Sequence, residues 1–201
     1  MRRPRSPWER ALGAEIDDLD PALRAYFGPI PRGSVGYGEG VFEVVGTPRR
    51  WLWPLLAILA VDGIVYPTWA HQVAFSVTNT PSSDGTVRAK RRFEFPHTGW
   101  VMTDEIGITS GGLTDRLGRN GYLAATLSAA VVEGGLVLRS TGVTLRIGSL
   151  RVPFGVLSPR LVLVERTEGD RQHVSMRLHL PLIGTLYEYA GSFRYAIEAA
   201  S

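Results

Sequence analysis

The amino-acid sequence predicts an α+β protein: a strongly curled or closed antiparallel β-sheet or barrel of roughly ten strands, with N-terminal helices covering one opening. Helix-start signals come before Pro67, and β-type segments follow it almost without interruption. No stretch between those segments has room for a crossover helix, which excludes parallel βαβ topology. We therefore expect a single domain over residues 1–201, with a helical cap and first strand in 1–66 and the antiparallel region in 67–201.

Capping signals predict three helices before Pro67. Ser6-Pro7-Trp8-Glu9 has the residues of a capping box, and Asp20-Pro21 is a second helix start. Thr47-Pro48 opens a third helix, which contains the apolar block Trp51–Val61. A helix that is apolar on all sides is buried, contacts lipid or covers an apolar ligand, and the sequence leaves these alternatives open. The block is too short to span a bilayer, which needs about 20 apolar residues.

Glycine-rich turns separate the predicted strands, and Asp84-Gly85 favours a tight hairpin. The expected strands cover 41–45, 73–80, 86–95, 100–108, 113–117, 122–132, 136–147, 161–167 and 173–180, with a last strand ending near 197. The glycine-rich segment 33–40 lacks the features of a phosphate-binding loop. We expect it to be an edge strand or a bulge that leads into the first strand.

Composition argues against several function classes. The chain is 44% hydrophobic, which suffices for a full core. It has no cysteine, which excludes disulfides, thiolate metal sites and a cysteine nucleophile. The net charge of +3 is scattered without a basic stripe, so no nucleic-acid partner is expected. Met1-Arg2-Arg3-Pro4-Arg5 is not followed by the apolar stretch of a secretory signal, so a cytoplasmic location is expected, with peripheral membrane contact left open.

Familiar catalytic and metal motifs are also missing from the sequence. None of the four histidines has metal-ligand spacing, and the acids at 17, 18 and 20 lie near helix ends, where carboxylates act as caps. There is no Gly-x-Ser-x-Gly nucleophile motif. The adjacent acids Asp104 and Glu105 point to opposite faces of their strand, so they cannot form a catalytic dyad. We expect neither a metal nor a cofactor.

Two charged residues interrupt otherwise apolar strand faces. Arg91 shares its side with Phe93 and Phe95, and Glu165 shares its side with Leu161. A buried charge is costly without a partner, so we expect the two to meet inside the barrel as an ion pair or to face a ligand. If the protein uses acid–base chemistry, Glu165 is the best candidate, because an apolar setting raises the pKa of a carboxyl group.

Several short motifs are shared with a known family. Its acidic-Arg element at a strand end resembles Leu113-Thr114-Asp115-Arg116-Leu117-Gly118. Its Leu-Pro…Leu-x-Pro segment is similar to Leu150–Pro153 with Leu157-Ser158-Pro159. Its closing segment resembles Leu180–Leu186 followed by Tyr189-Ala190-Gly191, and its N-terminal helix fits residues 20–24. This is domain-of-unknown-function family 4166, which often follows a saccharopine-dehydrogenase-like reductase domain and sometimes stands alone. The resemblance implies no activity, but it points to Asp115, Arg116 and Tyr189 as site residues.

The expected function is binding of a hydrophobic small molecule, such as a lipid, polyketide or isoprenoid, in an apolar barrel cavity. Two alternatives stay open: a cofactor-independent cyclase or isomerase that acts on such a ligand in a biosynthetic pathway, and a membrane-associated accessory protein. Whether the protein is an enzyme, and its oligomeric state, are left open. The candidate catalytic residues are Glu165, Asp115, Arg91 and Tyr189, and the candidate ligand-binding residues are Arg116, His97, Trp51, Trp53, Phe93 and Phe95.

Overall fold

The computed structural model describes residues 5–147, 150–155 and 158–200. Its helices are α1 (Pro7–Leu12), α2 (Pro21–Phe27) and α3 (Trp53–Val61), with 3₁₀ turns at Gly13–Asp18 and Arg50–Leu52. Its strands are β1 (Ser34–Gly46), β2 (Trp69–Pro81), β3 (Val87–Phe95), β4 (Thr98–Thr109), β5 (Gly112–Leu117), β6 (Leu123–Val132), β7 (Gly135–Ile147), β8 (Leu150–Pro153), β9 (Arg160–Glu168), β10 (Arg171–Leu180) and β11 (Gly184–Ala199).

Ten of these strands form a closed antiparallel barrel. Strands β1 to β7 are neighbours in chain order, β7 pairs with β9, and β9, β10 and β11 continue the ring. The ring closes where β1 pairs with β11, from Ser34 opposite Ala199 to Gly46 opposite Glu188. Strand β8 lies outside the ring as a hairpin partner of the end of β7. The prediction of a closed antiparallel sheet of about ten strands is confirmed, and β8 is an addition to it.

Alternation of side chains places the core inside the ring. In β10, Val174 and Met176 are buried inside the barrel, while Ser175 and Arg177 between and after them are exposed. The same period of two runs through the other strands, as expected for strands with one buried face. The interior therefore collects alternate residues of the strands, with the alternation shifted at irregularities such as the one between Phe42 and Val44. The few polar residues of the inward-facing set lie inside as well.

The glycine-rich segment 33–40 is not an edge strand, so that part of the prediction is wrong. Residues 34–40 belong to β1, which pairs with β2 on one side and β11 on the other. A Cβ atom at Gly36 would overlap the Tyr195 hydroxyl group, and one at Gly40 would overlap the backbone carbonyl of Ser192. The glycines thus let β11 and its aromatic side chains come close to β1. The ladder between the two strands is irregular only further on, between Phe42 and Val44.

Helices α1 and α2 cover one opening, as predicted. The capping box at the start of α1 is confirmed: Ser6 Oγ accepts from the Glu9 backbone N–H at 3.0 Å, and Glu9 Oε2 accepts from the Ser6 N–H at 2.9 Å. Ser6 Oγ also donates to the carbonyl of Phe27 at the end of α2. The Asp20 N–H, just before α2, donates to the Gly134 carbonyl in the β6–β7 turn at 2.9 Å.

The third helix starts later than predicted and lies at the opposite end of the barrel. The Thr47 N–H bonds the Thr68 carbonyl at 2.8 Å, which extends the β1–β2 ladder, so helical structure begins only at the 3₁₀ turn from Arg50. Helix α3 buries Leu56 but exposes its outer face. Ile64, which follows α3, is buried in the core. Among the described residues, no helix is both long and apolar enough to cross a bilayer.

Candidate functional site

A cavity of about 120 Å³ lies inside the barrel. Leucine, isoleucine, valine and methionine side chains form most of its wall, α1 and α2 bound it at one end, and the segment after α3 reaches it from the other. The polar side chains that line it are Tyr26, Arg91, Asp104, Asp115, Glu165 and Tyr189. A mostly apolar pocket with a few convergent polar groups is typical of a small-molecule site.

Arg91 forms an ion pair with Asp104 on the neighbouring strand. The Arg91 Nη1 atom donates to Asp104 Oδ1, and the Asp104 side chain is 1% exposed. Burial by itself would lower the pKa of Arg91, but the surrounding Tyr189, Tyr26 and acidic groups raise it above its ordinary value. Arg91 is therefore a permanent cation. Asp104 Oδ2 is buried and has no hydrogen-bond partner among the residues that the structure describes.

Asp115 reaches the cavity from β5. Burial raises its pKa from 3.8 to about 6, and the positive charge of Arg91 opposes part of that rise. Its Oδ1 atom is buried without a hydrogen-bond partner in the described part of the chain. Near neutral pH, Asp115 therefore exchanges a proton easily and offers an open acceptor to the cavity.

Glu165 reaches the cavity from β9. It is buried, and its Oε2 atom accepts a hydrogen bond from Gln172 Nε2 on β10. Burial raises the pKa of Glu165 from 4.5 to about 7. The Gln172 hydrogen bond and the charge of Arg91 lower this pKa and so oppose part of the rise. Glu165 is therefore poised between its acid and base forms at neutral pH, as a general acid or base needs to be.

The two tyrosines of the site are neutral hydrogen-bonding groups. Burial raises the pKa of Tyr189 to about 12 and also raises that of Tyr26 above its ordinary value. The Tyr26 ring packs against Tyr195 with centroids 4.6 Å apart, and the Tyr195 hydroxyl accepts from Asn79 at 3.4 Å. Within the described residues, no set of three His, Cys, Asp or Glu side chains is placed to hold a metal ion.

The four residues predicted as catalytic candidates all reach this cavity, but the expected ion pair between Arg91 and Glu165 does not form. Arg91 pairs with Asp104, and Glu165 bonds Gln172. The reason is their place in the ring. Strand β3 and strand β9 are five strands apart in either direction, through β4, β5, β6 and β7 or through β2, β1, β11 and β10. The two charges therefore face each other across the barrel rather than along one ladder.

The predicted ligand-binding residues lie outside the cavity. Arg116 points outward, opposite in parity to Asp115, and bonds Glu105 at 3.3 Å. His97 is exposed in the β3–β4 turn, and Trp51 is exposed beside α3. Trp53 is half-buried, and its indole N–H donates to the Thr47 carbonyl at 3.4 Å. Phe93 and Phe95 are buried in the aromatic core.

Sequence reasoning missed three polar residues of the interior: Asp104, Gln172 and Tyr26. Asp104 shares its side of β4 with Met102 and Ile106, so the parity argument that selected Arg91 also applies to it. The adjacent acids Asp104 and Glu105 do split between the two faces of β4, as predicted, but Asp104 on the inner face matters by itself. Gln172 shows the same signal beside the buried Val174. Tyr26 lies on the buried face of α2, where the sequence suggested only core packing.

A family model described as "Domain of unknown function (DUF4166)" matches residues 19–193. The chain belongs to this family. No curated protein and no solved structure was found to match it. In this DUF4166 chain the match runs from the end of the first 3₁₀ turn into β11, so it includes α2 and nearly the whole barrel. Of the family-like motifs, Asp115 and Tyr189 face the cavity, while Leu157 lies outside the described residues. Met1–Pro4 of the basic N-terminal segment also lie outside them.

Proposed function

We propose that the barrel binds a small, largely apolar molecule that carries a hydrogen-bond donor. The observation that supports this most directly is the pair of buried carboxylate atoms, Asp104 Oδ2 and Asp115 Oδ1, without partners among the described residues in a mostly apolar cavity. An unsatisfied buried acceptor costs about 1–3 kcal/mol. A hydroxyl or amine group of a ligand would remove that cost at either atom.

The volume of the cavity limits the size of this ligand. The cavity measures about 120 Å³. An engineered apolar cavity of about 150 Å³ holds one benzene molecule, whereas sites for larger ligands measure about 300–1,000 Å³. The site therefore suits a group of about one ring. A lipid, polyketide or isoprenoid would place only its polar end or one unit in this space.

Binding can be tested with two one-ring probes, phenol and benzyl alcohol, and with benzene as the probe that lacks a donor. We expect both hydroxyl probes to raise the melting temperature and to shift methyl NMR signals of the cavity, with benzene less effective. Native mass spectrometry of the purified protein would show whether a cellular ligand accompanies it. If neither hydroxyl probe binds and no ligand co-purifies, the proposal is wrong.

A matched pair of variants locates the binding. Leu163 lines the cavity, and Val164, the next residue of β9, is exposed on the outside. Leu163→Trp should fill the cavity and abolish the probe-induced shifts, because the indole ring occupies the space of the ligand. Val164→Trp should leave them unchanged. Equal effects of the two substitutions would show that the probes bind elsewhere.

A second candidate is a cyclase or isomerase that works through its own acidic side chains. It is favoured by the pKa values of Glu165, about 7, and Asp115, about 6, since general acids and bases work best near the operating pH. Asp115, which has the lower pKa, would act as the carboxylate and remove a proton from one ligand carbon. Protonated Glu165, which has the higher pKa, would deliver a proton to another carbon, so that a double bond moves without net oxidation.

Proton transfer of this kind leaves an isotopic trace. A co-purified ligand, incubated with the wild-type protein in D₂O, should take up deuterium at carbon. Glu165→Gln should still bind the ligand but lose deuterium uptake at the carbon that Glu165 protonates, because an amide cannot deliver an acidic deuteron. If the wild-type protein binds the ligand and catalyses no exchange, binding without acid–base catalysis is the better description.

A further inference from the structure

The outer face of α3 and its preceding turn is an exposed apolar stripe. Its large members are Trp51, Leu55, Ile58 and Val61, with exposed fractions of 63%, 48%, 70% and 75%. They follow each other at intervals of three or four residues, which places them on one side of the helix. Single exposed apolar residues are common on protein surfaces, but a contiguous apolar face indicates a contact surface.

A basic groove lies beside this stripe on the outside of the barrel. Five basic side chains line it: Arg88, Lys90, Arg116, Arg119 and Arg146. The acidic residues at the groove are Glu105, shared between Arg88 at 3.0 Å and Arg116 at 3.3 Å, and Asp104, which points into the barrel. The groove therefore has an excess of positive charge on a chain whose net charge is only +3.

The stripe and the groove are directly connected. Val61, the last residue of α3, accepts a hydrogen bond at its carbonyl from the Arg119 guanidinium. The Arg119 N–H donates to the Asp62 carbonyl at 2.8 Å, and the Asn120 N–H donates to Asp62 Oδ1 at 3.1 Å. Arg146 Nη2 in turn donates to the Asn120 carbonyl at 3.1 Å. The apolar face thus ends where the basic groove begins.

We propose that this end of the barrel docks on an anionic phospholipid bilayer. The apolar stripe of α3 enters the boundary between headgroups and acyl chains, and the basic groove contacts lipid phosphates. Apolar residues on one helix face flanked by arginine and lysine are the pattern of interfacial helices, and guanidinium groups match the geometry of phosphate oxygens. Arg49 and Arg50 at the other end of the stripe extend the same pattern. A purely apolar protein partner would leave the groove without a matching charge.

Vesicle flotation tests the proposal. The full chain should float with vesicles of phosphatidylcholine mixed with phosphatidylglycerol and not with pure phosphatidylcholine, and added salt should weaken the binding. Ile58→Asp should reduce binding at least about tenfold, because it places a charge in the apolar contact. Val132→Asp is the control: Val132 is 53% exposed but lies beside the β6–β7 turn at the opposite end of the barrel.

The charge contribution has its own pair of variants. The double variant Lys90→Gln/Arg146→Gln should weaken binding to the anionic vesicles by about 30-fold, since each basic residue near an anionic surface contributes about a fivefold factor. Arg32→Gln/Arg139→Gln changes the net charge equally at exposed positions away from the groove and should have little effect.

Four outcomes would overturn the proposal. The first is absence of binding to the anionic vesicles, and the second is an equal loss in the groove and control charge variants. The third is full competition by soluble glycerol phosphate, which would make the groove a site for a free phosphate compound. The fourth is a wild-type dimer that Ile58→Asp converts to a monomer without any lipid binding, which would make the stripe a protein interface.

Discussion

Arg91 and Asp104 form an ion pair inside the barrel although they do not face each other in the strand register. Arg91 lies opposite Met102, and Asp104 lies opposite Ala89, so the guanidinium group crosses the β3–β4 ladder diagonally. The nearer carboxylate, rather than the one on the far wall, therefore neutralises the arginine. This leaves Glu165 and Asp115 to titrate in the cavity.

Removing one charge of this pair should destabilise the protein strongly. We expect Asp104→Asn to lower the free energy of unfolding by about 3 kcal/mol, because it leaves the Arg91 charge in the interior without its counter-charge. Urea denaturation measures this change. The control is Glu105→Gln, the next residue of β4 on the outer face, which should change stability by less than about 1 kcal/mol.

Replacing both Arg91 and Asp104 tests whether the ion pair does more than neutralise two buried charges. The double variant Arg91→Met/Asp104→Leu should be more stable than Asp104→Asn, because an apolar pair of similar volume needs no desolvation of charge. A double variant that is less stable than the single one would show that the pair contributes more than mutual neutralisation.

The buried carboxyl of Glu165 should make stability fall as pH rises. Its pKa is about 4.5 in the unfolded chain and about 7 in the folded protein. Below the first value both states are protonated. Between the two values the unfolded chain releases the proton first and is favoured, so about 3 kcal/mol of stability is lost as the pH rises through about 7.

The pH effect is measured as a difference between proteins. Glu165→Gln cannot titrate, so its stability relative to the wild type should rise between about pH 5 and about pH 8. Denaturant titrations at these two values provide the comparison. Glu168→Gln alters an exposed acid of the same strand and should show no such trend. A pH-independent difference for Glu165→Gln would mean that the folded protein does not perturb this carboxyl.

Glycine at position 40 should be essential for the close approach of β1 and β11. Gly40→Ala should cost at least about 2 kcal/mol, because the new methyl group overlaps the Ser192 carbonyl and the ladder must widen. Gly142→Ala in β7 meets nothing within 4 Å and should be neutral or stabilise by up to about 1 kcal/mol. Thermal unfolding of the two variants gives the comparison, and similar melting temperatures would contradict it.

Ser6 should matter more than an ordinary helix cap. Its hydroxyl accepts from Glu9 in α1 and donates to the Phe27 carbonyl, so it connects the two helices that cover the barrel. Ser6→Ala should therefore lower stability by about 2 kcal/mol, at the upper end of capping effects. Calorimetry would measure the loss. Ser83→Ala, in the exposed β2–β3 turn, should leave the melting temperature unchanged.

Alternation of residues along the strands predicted both the barrel and the inward direction of Arg91 and Glu165, while Asp115 is a predicted site residue only through the family resemblance. The period of two determines the face of the sheet on which a side chain lies, so these positions followed from the sequence. It does not determine which strand stands opposite. The partner of Arg91 depends on the diagonal contact across β3 and β4, and the separation from Glu165 depends on how the ring closes.

Other features had no clear local signal. Strand β8 is only four residues long and ends at Pro153, so its composition did not distinguish it from a loop. The late start of the third helix follows from the Thr47–Thr68 hydrogen bond, which extends the β1–β2 ladder past the capping residue. The apolar block itself could not show that Leu56 turns inward while Ile58 turns outward, because both faces have the same composition.

The pairing of β1 with β11 also determines when folding of the barrel can be completed. Strand β1 begins at Ser34, and its partner β11 ends at Ala199, so one seam of the barrel joins segments from opposite ends of the chain. A ribosome delivers β11 last, and β1 must wait with one edge open until then. Contacts of such long sequence separation form slowly. We expect the barrel to close only after β11 has left the ribosome, with one edge of β1 unpaired until then.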